Sequence, residues 1–280
     1  MRTFFSAILA LLALAAAAGG LASAWLDENL VDESGFVALA APLGDDAEFQ
    51  AALTESLAQE VTANTGLPEQ FNSFVEPLIR DAAGAVTGSS GYPAAWTETL
   101  RLSHAFTFAQ APDPSEPAPA ILTLDLGPVV GLVADNLGGS LGVDVPVPED
   151  TTIEVGSVER GGLLSGVSDV VQGWGLYLAG AGVLALLAIV IARRRGTTLV
   201  LLGLGVAAIG IVGLLAGDWV PNAAVNLPGT NAVADIFVRG LAGRAGADIA
   251  ESSIVVIVGG LMALVIGVVG RLAFGRRRAA

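Results

Sequence analysis

Four long apolar segments divide the chain, at residues 3–24, 173–192, 197–217 and 253–270. None of them contains an aspartate, glutamate, histidine, lysine or arginine. A bilayer core of about 30 Å requires about 20 apolar residues of helix, which is roughly the length of each segment. The pattern therefore predicts an α-helical membrane protein with four transmembrane helices.

The polar segments between these spans complete a predicted domain plan. Between the first and second spans lies a long polar stretch, which we expect to form a mostly helical extracytoplasmic domain containing a small β element. The predicted order is transmembrane helix 1 or signal anchor 1–24, acidic extracytoplasmic domain 25–172, transmembrane helix 2 at 173–192, cytoplasmic loop 193–196, transmembrane helix 3 at 197–217, extracytoplasmic loop 218–252 with a short amphipathic helix, transmembrane helix 4 at 253–273, and cytoplasmic tail 274–280.

Periodicity within the long polar segment indicates its elements. Apolar residues recur every fourth position from Phe49 to Val61, and Trp96, Leu100, His104 and Phe108 share the same spacing, which predicts helices over 45–63 and 93–108. Residues 121–126 and 152–155 alternate apolar with polar side chains, as strands do. Pro128 can begin a further helix that Gly138-Gly139 should end. We also predict helix over 68–86, broken or kinked at Pro77, and over 158–172.

Charge is distributed unequally between the segments. Residues 25–172 carry 23 acidic residues and 3 arginines, whereas eight arginines and no acid lie in residues 1–2, 193–196 and 271–280. Cytoplasmic segments are enriched in basic residues, so both termini should be cytoplasmic in a multi-pass plasma membrane protein. The residues that decide this topology are Arg2, Arg193, Arg194, Arg195, Arg276, Arg277 and Arg278.

Aromatic residues mark the same ends of the spans. Trp25, Trp174, Tyr177 and Trp219 all fall at predicted outer ends. Rings with one polar edge favour the membrane interface, so these four residues should lie there.

The first segment has a second interpretation. Ala22-Ser23-Ala24 has the small-x-small form of a signal-peptidase site, so residues 1–24 could be removed after Ala24. The apolar run is longer than the usual h-region of roughly 7–15 residues, which favours a retained anchor. Cleavage would leave three spans and the same placement of the domain.

Small residues recur inside the spans at helical spacing. Gly213 and Gly217 lie four residues apart in the third span, and Gly259, Ala263 and Gly267 do so in the fourth. Small residues at this spacing let helix backbones approach closely, so we expect packing faces within the chain or between copies.

The loop 218–252 has its own amphipathic pattern. Ala232, Ile236, Phe237, Leu241 and Ile249 alternate with charged residues. This predicts a short helix lying on the outer membrane surface or under the domain.

Motifs for known chemistry are incomplete. Residues 138–142 fit G-x-S-x-G, but the single histidine, His104, precedes the serine and no strand leads into it. His104 alone cannot build a zinc site, and a packed histidine bonded to a neighbour is the expected reading. The cluster Asp27-Glu28 with Asp32-Glu33 lacks the form of a calcium loop and favours a solvated face, with weak divalent-cation binding as the alternative.

Composition narrows the possible functions further. The chain has no cysteine and no lysine, which excludes thiolate chemistry, disulfides and a Walker-type P-loop. Two G-x-G-x-x-A runs, at 180–185 and 203–208, lie inside apolar spans and so lack the context of a dinucleotide fingerprint. The acidic domain should repel nucleic acid and anionic surfaces. We therefore expect no catalytic residues, no cofactor and no metal.

Several segments together carry a family resemblance. Trp25 ends the first span, and a segment from Gly35 to Leu43 containing Phe-Val and Ala-Pro-Leu precedes Asp45-Asp46. A Trp96, Leu100, His104 helix and the stretch Leu124 to Val130 follow. Over residues 20–200 the chain resembles a family of actinobacterial multi-span integral membrane proteins with an extracytoplasmic domain between the first and second spans. The activity of that family is not settled, so the resemblance implies architecture and envelope location.

By elimination, the expected function is structural or interaction-based. The chain would be an envelope scaffold or accessory subunit that contacts the lipid bilayer and, through its domain, an envelope protein partner or other copies of itself. A small transporter component is one alternative, although the spans contain no ionisable group of the kind that transporters use. A carboxylate-based extracytoplasmic enzyme is another, and would require two acids to converge in space.

Overall fold

The computed structural model describes residues 2–64, 77, 80–109, 120–142, 147, 151–158, 170–225 and 231–276. These residues belong to two compact units. The span unit comprises Met1–Glu28, Val167–Ala223 and Ala245–Ala280, and the inter-span domain comprises Asn29–Gly166 with Ala224–Arg244. The polypeptide therefore crosses between the units four times.

Helices dominate the described residues. In chain order they are α1 (Arg2–Leu26), α2 (Glu33–Ala40), α3 (Ala47–Asn64), α4 (80–87), α5 (Tyr92–Ala109), α6 (Gly127–Leu141), α7 (Trp174–Ile191), α8 (Arg195–Ala224) and α9 (Ala232–Arg276). A π-helical turn, Asp27–Val31, continues α1, and a 3-10 turn, Ala41–Asp45, follows α2. The strands are β1 (Ala120–Asp125) and β2 (Thr152–Val158).

Four helices are long and apolar enough to cross a membrane, namely α1, α7, α8 and α9. This confirms the predicted multi-pass membrane protein with a mostly helical fold and a small β element. Two boundaries differ from the sequence pattern. Helix α8 continues past residue 217 to Ala224, and α9 begins at Ala232 and runs unbroken through the fourth span. The predicted short helix of loop 218–252 is thus the beginning of a 45-residue helix.

The contact between α8 and α9 follows a seven-residue repeat of small side chains, which we call the glycine seam. Its α8 members are Gly196, Gly203, Gly210 and Gly217, and its α9 members are Gly246, Ser253, Gly260 and Gly267. The helices are antiparallel, and the members meet in reverse order. A seven-residue spacing returns to one face every two turns, so the backbones stay close along the whole contact.

Distances at the seam show how little room the partner helix leaves. A Cβ added to Gly203 would lie 2.7 Å from the carbonyl oxygen of Gly260, and one added to Gly217 would lie 2.6 Å from that of Gly246. At Gly267 it would lie 2.8 Å from the backbone nitrogen of Val200. Backbone atoms cannot rotate away, so only glycine fits these positions at this separation.

Helix α1 packs on two other helices of the span unit. The buried Ser6 hydroxyl donates a 2.8 Å hydrogen bond to the Ala188 carbonyl oxygen of α7. Gly20 lies against Leu178, also of α7, and Leu14 fits against Gly205 of α8. Ala13 is buried in α1 and Ala188 in α7. The first span is therefore part of the packed helix core of this unit.

The inter-span domain is built around α5. Strands β1 and β2 pair antiparallel, with an irregularity between Leu122 and Thr123 that shifts the register by one residue. Two strands alone are marginally stable, so this ribbon must pack on helices. The buried side chains of the ribbon and of the helices form one core in the described part of the domain. The core comprises Ala40, Leu43, Phe49, Leu53, Ala83, Val86, Tyr92, Trp96, Leu100, Leu124, Leu126, Val129, Val130, Val133, Val233 and Phe237.

The first turns of α9 belong to this core. Val233 and Phe237 are buried, and Ile236 and Leu241 pack against the cluster half-buried. The side chain of Asn231 accepts a 2.8 Å hydrogen bond from the Ala234 N–H and so satisfies one free donor of the first turn. The domain is consequently discontinuous in sequence, because residues distant from 29–166 complete its interior.

The predicted domain helices correspond to described elements where residues are described. The stretch 45–63 corresponds to α3, and 93–108 corresponds to α5. In α3, Phe49 and Leu53 are buried, whereas the side chains of Leu57 and Val61 lie outside the described residues. Most of the predicted helices 68–86 and 158–172 also lie outside them.

Candidate functional site

An aromatic cluster of the inter-span domain lies at the beginning of α9. The ring centroids of Phe49 and Trp96 are 5.0 Å apart, and Phe237 of α9 lies 6.3 Å from the first and 6.2 Å from the second. Trp96 meets Phe237 edge to face, a favoured geometry for aromatic pairs. The Trp96 indole N–H donates a 3.1 Å hydrogen bond to the Ala41 carbonyl oxygen.

Two further contacts fix α9 beside this cluster. Leu43 lies against Gly240, where an added Cβ would be 2.6 Å from a leucine methyl group. The Arg244 guanidinium donates a 3.1 Å hydrogen bond to the Pro42 carbonyl oxygen. We call this set of contacts, from Ala41–Leu43 and the aromatic cluster to the first turns of α9, the junction. It consists of side-chain packing and of hydrogen bonds from side chains to backbone carbonyl oxygens.

His104 lies on the same helix face as Trp96 and Leu100. It is 8 % exposed, its Nε2 is 3.1 Å from the Leu30 carbonyl oxygen, and its ring centroid is 5.3 Å from that of Phe36. Phe36 is on α2, whose N-cap is Asp32. The Ser34 hydroxyl and the Gly35 N–H hold the pKa of Asp32 below its ordinary value. The histidine thus joins α5 to the chain between α1 and α2.

The stretch from Leu124 to Val130 is a strand end followed by a helix start. Leu124, Leu126, Val129 and Val130 are buried. The Asp125 carboxylate accepts hydrogen bonds from the Gly127 N–H at 2.8 Å and from the Thr151 hydroxyl at 3.1 Å. Apart from Trp25, which belongs to the span unit, the segments that carried the family resemblance therefore lie in the domain core and its caps.

Removing the Asp125 carboxylate should destabilise the domain measurably. Asp125→Ala leaves an N–H at the start of α6 without its acceptor, which typically costs about 0.5–2 kcal/mol. We expect a thermal midpoint lower by a few degrees in detergent, on the order of 2–4 °C per kcal/mol for a chain of this size. Asp135→Ala, an exposed position on the same helix, is the matched control. Equal midpoints for the two variants would contradict the capping role.

The phenol of Tyr92 is buried in the core. Its side chain is 2 % exposed, and its hydroxyl has no hydrogen-bond partner among the described residues. Burial, with a smaller contribution from the Asp45 charge, raises the pKa of Tyr92 from 10.0 to about 12. The neutral phenol is the form that the folded domain favours.

The raised pKa predicts a loss of stability in alkaline solution. Below pH 10 the phenol is protonated in both the folded and the unfolded state. Between pH 10 and about 12, Tyr92 ionises in the unfolded chain but stays protonated in the folded domain, so the free energy of unfolding falls. Raising the pH from 9 to 11 should therefore cost about 1 kcal/mol through this residue. In Tyr92→Phe this contribution should disappear, which thermal midpoints at both pH values will measure. An unchanged pH dependence in the variant would contradict it.

An open groove of about 380 Å³ lies between α3 and α4. It is lined by Ala47, Gln50, Ala51, Thr54, Glu55, Arg80 and Thr87. Arg80 crosses it with two hydrogen bonds to the Glu55 carboxylate, at 2.8 and 3.2 Å, and both side chains are partly exposed. An exposed pair of this kind contributes little to stability, and its donors already face a carboxylate.

The predicted interface aromatics take different partners. Trp25 donates a 2.6 Å hydrogen bond to the Asp248 carboxylate of α9, and Trp174 donates a 3.1 Å bond to that of Asp27. The Tyr177 hydroxyl donates to the Val170 carbonyl oxygen, whereas Trp219 is 67 % exposed. Two of the four indole or phenol groups thus join helices. The sequence pattern did not indicate the two aspartates as acceptors.

The predicted packing glycines are divided by the seam. Gly217 and Gly267 belong to it, and Gly213 lies against the Ser253 side chain. Gly259 differs, because an added Cβ would meet nothing within 4 Å, and Ala263 is half-buried. Gly259 therefore does not pack against the described residues of this chain. The four-residue row of α9 shares only Gly267 with the seam, because antiparallel helices in extended contact meet at seven-residue intervals. That longer spacing, visible in both helices, was the missed signal.

The basic residues predicted to decide topology lie at helix ends. Arg2 begins α1, Arg193 and Arg194 are exposed between α7 and α8, and the exposed Arg195 begins α8. Arg276 ends α9 with its side chain outside the described residues, and Arg277 and Arg278 lie outside them altogether.

The G-x-S-x-G run of the sequence forms the end of a helix. Gly138 to Leu141 are the last residues of α6, and Gly142 ends it in a left-handed conformation with φ of 70°. A helix C-terminus closed by glycine is a common helix end and lacks the strand–turn–helix geometry of a nucleophile elbow. Among the described residues, no group of three or more histidine or acidic side chains is placed to hold a metal ion.

The described residues thus define a polytopic helical membrane protein whose inter-span domain takes part of its core from the start of the last span helix. No protein-family model, curated protein or solved structure matches the chain.

Proposed function

We propose that the chain is an integral membrane protein of the cell envelope that acts as a scaffold or accessory subunit, through an inter-span domain exposed on the extracytoplasmic side. The observation that carries the proposal is the role of the sequence motifs. The Trp96, Leu100, His104 face and the stretch from Leu124 to Val130 are used in the core and its caps. A domain whose distinctive residues build its interior offers its exterior for binding.

That exterior is acidic. Two of the three arginines in residues 25–172, Arg80 and Arg101, pair with glutamates of the same domain, at 2.8 Å in each case. The domain keeps a large net negative charge after this pairing. A strongly charged surface suits association with a basic partner, for which electrostatic attraction raises the encounter rate.

The connectivity of the domain supports the same role. The chain passes between the two units four times, and α9 supplies residues to both. A scaffold benefits from such attachment, because a domain tied at several points cannot detach by fraying at one end.

Labelling with thiol reagents tests the proposed sidedness. The chain has no cysteine, so each introduced cysteine is unique. We expect a membrane-impermeant maleimide to label Asp135→Cys on intact cells and to label Arg194→Cys only after lysis; both positions are exposed. The physical reason is the concentration of arginine at the 193–195 turn. The reverse pattern would invert the topology and contradict an extracytoplasmic domain.

Crosslinking from the same positions tests the interaction role. The chain also lacks lysine, so a thiol–amine reagent on a single cysteine can join this chain to a partner's lysines but, except through its α-amine, not to another copy. Ala51→Cys, Ala94→Cys and Asp135→Cys place the reagent on three exposed helix positions of the domain. A thiol–thiol reagent on the same variants reports copies instead, and Arg194→Cys is the control.

The proposal predicts one stoichiometric adduct in native membranes. It should form only from cysteines in the domain, and it should form again when crosslinking is repeated with the purified partner. Adducts with thiol–thiol reagent only would indicate self-association through the domain. If no domain position yields either adduct, the interaction role is wrong, and a transporter component or a carboxylate-based enzyme becomes the better hypothesis.

A further inference from the structure

The N-terminal helix combines a cleavage-like sequence with the contacts of a permanent span. Residues 22–24 have the small side chains of a signal-peptidase site, yet the backbone is α-helical from Arg2 to Leu26 and continues as a π-helical turn to Val31. Proteases bind the residues around a scissile bond in an extended conformation. The bond after Ala24 lies well within helix.

Three contacts along α1 show that it is part of the bundle. Near its start the Ser6 hydroxyl bonds the Ala188 carbonyl oxygen at 2.8 Å, at its middle Leu14 fits against Gly205, and near its end Gly20 lies against Leu178. They involve both α7 and α8. A removable signal peptide needs none of these contacts, because it leaves the bundle.

Removal of residues 1–24 would uncover specific groups in the remaining helices. Ala188 is fully buried, and its carbonyl oxygen would lose the Ser6 hydroxyl. That oxygen would keep the Ala192 N–H as a donor, so what is lost is the contact between helices, and close packing of this kind holds helices together in a bilayer. The face of α8 at Gly205 and the side chain of Leu178 would lose their α1 neighbours as well.

We infer that residues 1–24 are retained as the first of four spans and are not removed as a signal peptide. The retained α1 is then a permanent packing partner of α7 and α8. This inference is independent of the proposed scaffold role, because it concerns processing and bundle assembly alone.

Intact mass measures retention directly. The protein, tagged at its C-terminus and extracted from its own membranes with mild detergent, should have a mass that includes residues 1–24. A mature chain beginning at Trp25 would overturn the inference.

Two neighbouring glycines provide a matched test of the packing. A Cβ added to Gly20 would lie 2.7 Å from a Leu178 methyl group, whereas one added to Gly19 would meet nothing within 4 Å. We expect Gly20→Leu to lower the thermal midpoint of the solubilised protein by roughly 5 °C relative to Gly19→Leu. The two variants share their effect on apolar length and insertion. Equal midpoints would overturn the packing role of α1, whereas the mass of the unaltered protein decides retention, also if Gly20→Leu fails to accumulate.

Discussion

Replacing Phe237 by alanine is expected to open the inter-span domain. The ring lies 5 % exposed in contact with Phe49 and Trp96, and no other aromatic side chain of α9 reaches that cluster in the described residues. Truncating a buried phenylalanine typically costs about 3–5 kcal/mol, through lost burial and the cavity left behind. Since small domains are stable by only about 5–15 kcal/mol, that is a large share of the total.

The measurement is limited proteolysis of the protein in detergent, followed through cleavage within the domain. We expect Phe237→Ala to be cut at least tenfold faster than the unaltered protein. Arg239→Ala, two residues along the same helix, is the matched control, because its ion pair with Asp235 spans 3.5 Å at half-exposed side chains and contributes little. Equal cleavage rates for the two variants would show that α9 does not complete the core.

The second prediction concerns the glycine seam. Gly260→Ala places a methyl group 2.7 Å from the Gly203 carbonyl oxygen and closer still to the Ala207 nitrogen, so α8 and α9 must separate. Overpacking of this kind costs about 1–3 kcal/mol, and more where backbone atoms must move. In a bilayer this loss weakens the association of the helices directly, because helices there associate through close packing with no hydrophobic driving force between them.

The neighbouring residue supplies the control. Gly259→Ala adds the same methyl group at a position with nothing within 4 Å, and both substitutions change helix propensity equally. We expect Gly260→Ala to lower the thermal midpoint in detergent by roughly 5 °C or more, and Gly259→Ala to leave it within about 1 °C. If Gly259→Ala instead reduces the size of a purified oligomer, Gly259 packs between copies, as the sequence also allowed.

Some features of this protein can be predicted from residues that are close in sequence, whereas the two contacts tested above cannot. Residues 173–192 and 197–217 needed only length and the absence of charge to be recognised as spans, because the bilayer imposes both conditions on any crossing helix. Helix α5 and the two strands were likewise visible from periodicity, since each buries one face. These features depend on residues close in sequence.

The junction could not be predicted in the same way. Phe237 and Leu241 formed an apolar face that indicated a helix, but the pattern favoured the membrane surface as readily as the domain. Only the fold places Phe237 against Trp96, which is distant in sequence. The sequence could not decide between these two places for the start of α9, because local periodicity does not distinguish an interfacial helix from one packed on a domain core.

The glycine positions show the same limit within the membrane. Gly213, Gly217 and Gly267 were identified by spacing and do pack, yet Gly259 met the same criterion and faces away. A single helix carries several small-residue rows, and the partner helix decides which one is buried. Gly203 and Gly260 became distinctive once α8 and α9 were seen to run antiparallel with seven-residue contacts.

The sequence by itself determined that this is a four-helix membrane protein with a mostly helical inter-span domain. Hydrophobic length and periodicity are local properties, and they decide which segments and faces are removed from water. The tertiary structure alone decided that α9 completes the domain core, that a seven-residue seam joins α8 to α9, and that α1 packs against α7 and α8. Those outcomes depend on which surfaces meet, and that is settled by shape and close contact between residues far apart in the chain.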